Sequence, residues 1–251
     1  MMKYSKFILI LVLISNFCFN QKLLIPMDQT QNNHLKAYGI AFFALTNKIN
    51  VDWLLNYKGG SFMLDNNSII KNECILRGVS YSEINASEIN NIFQSIEENN
   101  MDIVLLEKEP KIAVYSPPDK LPWDDAVTLA LTYAEINYTI IFDDEVLTNK
   151  LSDYDWLHLH HEDFTGQYGK FYKNYRNKPW YKKMEADFNK IANKYGFSSV
   201  HNLKKGVAMK IKEYITNGGF LFAMCSATDS FDIALAAHKT DIVASVFDGT
   251  P

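Results

Sequence analysis

Cys225 stands where an apolar strand must turn into a helix. The surrounding residues read GGFLFAMCSATDSFD, in which two glycines precede the apolar run 220–224 and a helical pattern follows the cysteine. Ala223 and Ala227 flank Cys225, and a sharp strand-to-helix turn requires small side chains at such positions. The turn would expose the thiol beside a helix N-terminus, whose N–H groups favour the thiolate form. The pattern predicts a nucleophilic cysteine; the alternative is a small apolar residue packed at a strand end.

A second polar cluster, HLHHED, ends the apolar strand at 156–160. Strand alternation would place His158 and His160 on one face, with residues 161–163 in the loop beyond it. If this strand lies parallel beside the one that ends at Cys225, an imidazole and the thiol meet at one sheet edge. That pairing is the one that activates a cysteine nucleophile.

These two clusters allow roles to be assigned for amide or acyl transfer. Cys225 would attack the carbonyl carbon, and His160 or His161 would serve as the base. Glu162 or Asp163 would orient the histidine. The candidate substrate contacts, beginning with the oxyanion donor, are Gly166, Asp163, Ser226 and Asp229.

A metal site is the competing interpretation of the histidine cluster. Two or three histidines with a carboxylate can bind zinc. Side chains of adjacent residues on one strand begin in opposite directions, so His160 and His161 are expected to be a poor ligand pair. A third interpretation makes these residues structural or substrate-contacting polar groups.

The stretch 167–183, QYGKFYKNYRNKPWYKK, interleaves six basic residues with six aromatic ones. Such a mixture can hold sugars or polyanions by stacking and charge. A helical insertion that covers the site is favoured, because the helix that follows has an apolar stripe typical of a buried face. The residues of that stripe are Trp180, Met184, Phe188, Ile191 and Tyr195.

From Lys111 onward, apolar strands alternate with amphipathic helices. This alternation is typical of a parallel sheet with helices on both faces, in which ligands bind outside the carboxyl ends of the strands. The fold class is therefore α/β, with a Rossmann- or flavodoxin-like domain at 109–251. The predicted strands are at 112–115, 138–142, 156–160 and 220–224, and the predicted helices are at 123–136 and 203–215.

The preceding part, 21–108, is expected to be a smaller α/β domain. Residues 65–86 are polar and irregular, and Ser87 is expected to cap the next helix. The charged segment 107–110, ended by a proline, marks the boundary between the two parts. The opening elements, a strand at 22–27, a helix at 34–48 and a strand at 51–57, predict a β-α-β unit.

Residues 1–20 have the pattern of a secretory signal peptide. Two lysines precede the uncharged apolar run 7–14. Cys18 and Asn20 are moderately small residues at positions −3 and −1 of a possible cleavage point before Gln21. The run is too short to span a bilayer comfortably, and no later segment is as apolar as a membrane span. We expect the mature protein to be exported, to the periplasm or outside the cell, with no membrane span.

The composition is that of a globular protein, with 251 residues, 47% hydrophobic and 22% charged. Loss of the leader lowers the 25 basic residues to 23 against 29 acidic ones, which moves the net charge from −4 to −6 and does not suggest a nucleic-acid partner. Only Cys74 and Cys225 then remain, which is no disulfide framework, although the two could pair in an oxidising compartment. We expect no cofactor and a small-molecule, carbohydrate or peptide substrate.

The run from Lys111 to Leu235 resembles the class I glutamine-amidotransferase-like fold. YDWLHLHHEDFTG matches a strand and loop of that sheet, and NGGFLFAMCSATD matches its cysteine elbow. Through IPMDQTQNNHLKAYG, WLLNYKGGSF and PWDDAVTLALTYAEI, nearly the whole chain also resembles exported Bacteroidetes proteins that carry the name asparagine synthetase B. These resemblances imply a cysteine-dependent amide hydrolase or transferase, and relatives that run on beyond Pro251 imply a fragment.

The chain departs from these families at identifiable places. The amidotransferase elbow reads G-x-C-x-G, whereas alanines occupy both glycine positions here, and the family's base comes from a downstream His-x-Glu pair. After Cys225 this chain has only His238 and no glutamate. The base therefore lies in sequence beyond Pro251, or the His160 and His161 loop replaces it, or there is no catalysis. The N-terminal cysteine and SGGLDS-type ATP loop of asparagine synthetases are absent.

Three functions follow from these observations. The leading one is an exported amidotransferase-like hydrolase or transferase that uses Cys225. The second is a non-catalytic module that binds a carbohydrate or peptide at the same sheet edge. The third is a metal-dependent hydrolase built on the histidine cluster.

Overall fold

The computed structural model describes residues 21–117, 126–166 and 169–248, which fall into two compact units. The first unit contains the described residues up to Glu109 together with Thr132–Ile136. The second contains those from Pro110 to Leu131 and from Asn137 onward. Within these ranges, no helix is both long enough and apolar enough to cross a membrane. The predicted leader lies outside the described residues.

The first unit is built on a five-stranded antiparallel sheet. Its strands are β1 (Lys22–Ile25), β2 (Val51–Leu55), β3 (Ser61–Asp65), β4 (Ser82–Ile84) and β5 (Asp102–Leu106), and its helices are α1 (His34–Thr46), α2 (Ser68–Arg77) and α3 (Ala86–Glu98). The strand order is β4-β1-β3-β2-β5. α1 and α2 pack on one face through residues such as Ile40 and Cys74, and α3 packs on the other through Ile89 and Ile92.

The predicted β-α-β unit is present only in a split form. β1 and β2 are each paired antiparallel to β3, so they run parallel to each other with β3 inserted between them. α1 therefore joins two parallel strands that are not neighbours. The sequence pattern records the alternation of elements, and it does not record which strands pair.

The prediction that 65–86 is irregular is wrong, because this stretch contains both α2 and β4. Asn67 caps α2 by accepting the N–H of Ile69 at 2.8 Å. Ile75 and Leu76 of this helix are exposed, which obscures the amphipathic pattern. The next helix, α3, is capped by Asn85 and not by Ser87, because Asn85 stands at the turn and pairs with Glu88 in a capping box.

The second unit is built on a four-stranded parallel sheet. Its strands are β6 (Ile112–Tyr115), β7 (Tyr138–Ile141), β8 (Trp156–Leu159) and β9 (Phe220–Ala223). They are ordered β7-β6-β8-β9, and every neighbouring pair is parallel. The predicted parallel sheet is confirmed, and β8 and β9 are neighbours, which is the condition on which the predicted meeting of thiol and imidazole depended. The helices are α4 (Ala126–Ala134), whose end crosses into the first unit, α5 (Asp143–Leu147), α6 (Gly169–Tyr175), α7 (Pro179–Lys194), α8 (Val200–Thr216), α9 (Cys225–Ala236) and α10 (Ser245–Asp248).

One face of this sheet carries the core of the second unit. Leu157 and Leu159 of β8 belong to a buried cluster that also holds Leu203 and Val207 of α8 and Phe231 of α9. α8 runs from the carboxyl edge of the sheet to its amino edge, as the connection between two parallel strands requires. The long helix therefore fixes where β9 begins, and β9 fixes where Cys225 emerges.

The opposite face is open at β9. An apolar run such as 220–224 is expected to be buried, but the side chains of Phe220 and Phe222 are 61% and 44% exposed. β9 is the edge strand of the sheet, and alternation points these two rings away from α8 and α9. The predicted covering by helices on both faces does not reach this edge in the described residues.

Candidate active site

Cys225 lies on a sharp turn between β9 and α9. It is the first residue of α9, it is exposed, and its φ of 49° falls in the left-handed region that residues other than glycine rarely adopt. Ala227 is fully buried beneath the turn, which explains the small side chain at that position. The backbone therefore turns sharply at the cysteine and leaves its thiol at the carboxyl edge of the sheet.

The histidine pair lies directly beyond β8, which ends at Leu159. His160 is buried and His161 is exposed, and their rings stack with centroids 3.6 Å apart at 26°. The expectation that these two side chains diverge is wrong, because the chain has left the strand at His160 and strand alternation no longer applies. The two adjacent imidazoles thus lie together.

The structure brings His160, His161 and Cys225 together. Each offers one ligand atom, an imidazole nitrogen or the thiol sulfur, and all three atoms lie within 4.8 Å of one another. Parallel pairing of β8 with β9 accounts for this convergence, because it ends both strands at the same edge. The cluster places two imidazoles beside one exposed thiol.

Hydrogen bonds fix the two loops against each other. The N–H of Met224 donates to Leu159 O at 3.0 Å and the N–H of Ala227 donates to His160 O at 3.1 Å. Ser226 Oγ donates to His161 O at 3.3 Å. These bonds therefore fix the backbone of Cys225 relative to the backbone of the two histidines.

The two acidic residues of the histidine loop bind backbone and hydroxyl groups. Glu162 Oε2 accepts the N–H of His160 at 3.2 Å and that of His161 at 3.1 Å. Asp163 Oδ1 accepts the N–H of Thr165 at 2.8 Å and its hydroxyl at 2.5 Å. Glu162 thus holds the main chain of both histidines, while its predicted contact with an imidazole ring stays a prediction.

The predicted substrate-binding residues lie at different depths. Gly166 is buried, with a φ of +71°, and a Cβ there would lie 2.5 Å from the Cα of His201, so the glycine permits close packing on the start of α8. Ser226 and Asp229 are exposed on α9, and Asp163 is exposed in the loop. The predicted oxyanion role of Gly166 stays a prediction.

The other cysteine within the described residues, Cys74, has a different environment. It is fully buried within α2, and neither it nor Cys225 forms a disulfide. Burial raises the pKa of the Cys74 thiol to about 12. Cys225 is therefore the cysteine of the described chain that is placed for reaction in solvent.

A buried polar network that the sequence pattern did not reveal lies in the core of the second unit. Lys204 Nζ is 3.0 and 2.9 Å from the two carboxylate oxygens of Asp143, and the Tyr115 hydroxyl donates to the same carboxylate. Burial, with the neighbouring charge of Asp143, raises the pKa of Tyr115 well above its ordinary value. Lys204 comes one residue after the buried Leu203 and three before the buried Val207, and a charge on this apolar face of α8 was the available signal.

His201, a second residue that the sequence analysis missed, anchors the end of the histidine loop. Its Nδ1 lies 2.7 Å from Thr165 O, and its Nε2 lies 3.4 Å from Thr240 O and 3.6 Å from Asp241 Oδ1. The ring therefore joins the loop, the first turn of α8 and the segment after α9. A buried histidine at a helix start gives no distinctive sequence signal.

The aromatic and basic stretch forms α6 and the start of α7, outside residues 167–168. Tyr181 is buried against Val200, whereas Trp180 is exposed, so the predicted stripe is wrong at its first position. Met184 and Phe188 pack beside Tyr181, as the stripe predicted. The stretch is thus helical with one packed face.

A cavity of about 400 Å³ lies at the amino edge of the parallel sheet. Asp155, just before β8, and Gly219, just before β9, line it together with Tyr154 and Tyr214. Because Cys225 follows the carboxyl end of β9, this cavity is at the far end of the strands from the thiol. It adds no group to the cluster of Cys225 and the histidines.

The chain matches no family model, no curated protein and no solved structure.

Proposed function

We propose that the chain is an exported, amidotransferase-like α/β protein that attacks an amide or related acyl group with Cys225. One observation carries the proposal: the Cys225 thiol lies with imidazole nitrogens of His160 and His161 inside a 4.8 Å cluster. An exposed thiol within reach of an imidazole is the arrangement that activates a cysteine nucleophile. The left-handed φ of 49° at Cys225 adds support, because strained backbone is characteristic of a nucleophile elbow.

The finer fold assignment is part of the same proposal. The strand order β7-β6-β8-β9 is second, first, third and fourth along the chain, the order with which a flavodoxin-like sheet begins. In such sheets, ligands bind outside the carboxyl ends of the strands, where Cys225 and the histidines lie. The proposed export rests on the leader pattern of residues 1–20.

The proposed reaction proceeds through a thioester. One imidazole takes the thiol proton, and sulfur attacks the carbonyl carbon to give a tetrahedral intermediate. The carbon–nitrogen bond then breaks as the imidazolium returns its proton to the leaving amine. Water, or an acceptor amine in a transferase, next attacks the thioester with the imidazole as base, and the carbon–sulfur bond breaks to restore the thiol.

Glu162 acts in this proposal as a positioning residue. Its carboxylate accepts the N–H groups of both histidines and so fixes the start of the loop from which the imidazoles extend. The N–H of Ala227 is held by His160 O, so that donor is already used. Oxyanion stabilisation is therefore assigned to the remaining main-chain donors at this edge, with Gly166 as the predicted contributor.

The proposal is tested with p-nitrophenyl acetate, an activated acyl donor that needs no knowledge of the natural substrate. The protein should release one equivalent of p-nitrophenol in a burst and carry one acetyl group on Cys225, located by peptide mass spectrometry. Cys225→Ala should abolish the burst. His160→Ala or His161→Ala, whichever removes the base, should slow acetylation about 100-fold.

Two matched variants serve as controls for this experiment. Cys74→Ala removes the buried thiol and His238→Ala removes an exposed imidazole just after the end of α9, and neither should change the burst. Acetylation of Cys225 no faster in the folded protein than in the urea-unfolded chain would overturn the proposal. An undiminished burst in the Cys225→Ala protein would do the same.

A non-catalytic binding module is the second candidate, and one observation favours it. Tyr175 and Trp180 are both exposed, with ring centroids 5.4 Å apart, and Arg176 lies between them in sequence. Exposed aromatic rings beside positive charge can stack on sugars. Titration of tryptophan fluorescence with xylan or chitin oligomers tests this, and Trp180→Ala should remove any change while Cys225→Ala leaves it intact.

A further inference from the structure

We propose that His160, His161 and Cys225 form a binding site for a soft divalent cation of the Zn²⁺ class, and that the bound cation blocks the thiol. The binding part rests only on the geometry of the three side chains. The blocking part rests on the proposed function, because it concerns the same sulfur atom. The predicted carboxylate ligands of the sequence-based zinc interpretation are not part of this site.

The chemistry of the three ligand atoms selects the cation. A thiolate with two imidazoles suits Zn²⁺ and other soft or borderline metals, whereas Mg²⁺ and Ca²⁺ prefer oxygen ligands. The carboxylate oxygen of Glu162 described above binds main-chain N–H groups of the same loop. It adds negative charge beside the cluster while the three nitrogen and sulfur atoms act as ligands. Three protein ligands leave a fourth tetrahedral position for water.

The three ligand atoms need to move only slightly closer together to bind Zn²⁺. Bonds of about 2.0–2.3 Å to a tetrahedral Zn²⁺ place its ligand atoms about 3.3–3.6 Å apart. In the structure the three atoms lie within 4.8 Å of one another. His161 and Cys225 are exposed, so rotation about their side-chain bonds can bring both atoms toward the buried His160.

The supporting backbone is already held in place. His160 and His161 extend from a loop joined to the first turn of α9 by main-chain hydrogen bonds from Met224 and Ala227. Both histidine N–H groups are fixed by Glu162. A site whose ligands come from two fixed loops loses little conformational entropy when a metal binds.

Metal binding releases the thiol proton and prevents the sulfur from acting as a nucleophile. The cation bonds to the Cys225 sulfur as thiolate, so the thiol proton is released to solvent. The sulfur lone pair that would attack an acyl carbon is then donated to the metal. Metal occupancy and formation of the thioester therefore exclude each other at this site.

Titration of the full chain with Co²⁺ tests the binding part directly. Tetrahedral cobalt bonded to a thiolate gives a sulfur-to-cobalt charge-transfer band in the near ultraviolet, and we expect one equivalent to produce it and Zn²⁺ to abolish it. Cys225→Ser should remove the band. His160→Ala and His161→Ala should each weaken Co²⁺ binding at least about 10-fold, because even loss of a residue that only supports a metal ligand costs that much.

Controls separate this site from adventitious binding. Cys74→Ser and His238→Ala should leave the cobalt band and its affinity unchanged, with circular dichroism confirming that every variant is folded. Absence of the band in the folded wild-type protein would overturn the proposal. A band that survives in folded Cys225→Ser, or is lost in folded Cys74→Ser, would also overturn it.

The blocking part is measured with iodoacetamide and p-nitrophenyl acetate. One equivalent of Zn²⁺ should lower the alkylation rate of Cys225 at least about 10-fold, and EDTA should restore it. A cobalt band without any acetyl burst would overturn the proposed function and leave the metal site intact. An acetyl burst with no cobalt band, and with an alkylation rate that Zn²⁺ does not change, would overturn the metal site and leave the proposed function intact.

Discussion

The N–H of Ala227 donates a hydrogen bond of 3.1 Å to the carbonyl oxygen of His160. This bond joins the first turn of α9 to the loop after β8, so the helix that carries the thiol is fixed against the loop that carries the imidazoles. Ser230 Oγ extends the connection one turn further by donating to Glu162 O at 2.8 Å. The relative position of Cys225 and the histidines is thus a property of two packed backbone segments.

The left-handed backbone at Cys225 predicts an unusual order of stabilities. At a φ of 49°, a Cβ costs about 1–2 kcal/mol that glycine does not incur. Cys225→Gly should therefore be more stable than Cys225→Ala by about 1 kcal/mol in urea denaturation. In an ordinary helical first turn the glycine variant would be the less stable of the two by about 0.5–1 kcal/mol. The sign of the difference therefore shows whether the backbone at Cys225 is left-handed.

Gly166 predicts a steric effect that a second glycine can isolate. Gly166 and Gly196 have similar φ values of +71° and +75°, but a Cβ at Gly166 would meet the backbone of His201 at 2.5 Å while a Cβ at Gly196 would meet nothing within 4 Å. Gly196→Ala should cost about 1–2 kcal/mol from backbone strain alone. Gly166→Ala should cost at least about 1 kcal/mol more. Equal losses in thermal unfolding would contradict the packing role of Gly166.

The shared sheet edge of the two clusters was predictable because it follows from the alternation of elements. Successive strands and helices from Lys111 onward indicated a parallel sheet, and parallel strands end at the same edge. The rule does not say which strands are neighbours, so the pairing of β8 with β9 was a condition of the hypothesis and is supplied by the structure. The strand order of the first unit was not predictable, because the sequence pattern of β1, α1 and β2 is the same whether or not β3 lies between the two strands.

The other differences between the predicted and the observed structure arise from where strands end, from the place of a strand in the sheet, and from pairs of residues far apart in the sequence. The stacking of His160 on His161 depends on where β8 ends, and a boundary one residue later would have pointed the rings apart. The exposure of Phe222 depends on β9 being an edge strand, which is a property of the whole sheet. The partner of Lys204 lies 61 residues away, so no local pattern connects it to Asp143.

Cys74 predicts a pH dependence of stability. Its pKa is about 12 in the folded protein against about 9 in an unfolded chain, so the folded state holds the thiol proton more tightly. The resulting stability is fully present below about pH 9 and is lost as the pH rises toward 12, by up to about 1.4 kcal/mol per pH unit. Urea denaturation of wild type and Cys74→Ala from pH 8 to 11 should show a shallower decline in the variant. Parallel curves would contradict the burial of this thiol.

The ion pair of Asp143 and Lys204 predicts strong coupling between two buried charges. The two side chains are 0% and 5% exposed, and Lys204 Nζ also lies 4.4 Å from the centre of the Phe142 ring. Asp143→Asn or Lys204→Met leaves one charge buried without its partner, and each should lower the free energy of unfolding by about 3–5 kcal/mol. The double variant leaves neither charge, so its loss should be smaller than the sum of the single losses by at least about 2 kcal/mol. Additive losses in urea denaturation would mean that the pair is not coupled. Because Asp143 and Lys204 lie in the core and not at the thiol, the acetylation burst of each folded single variant should remain that of wild type.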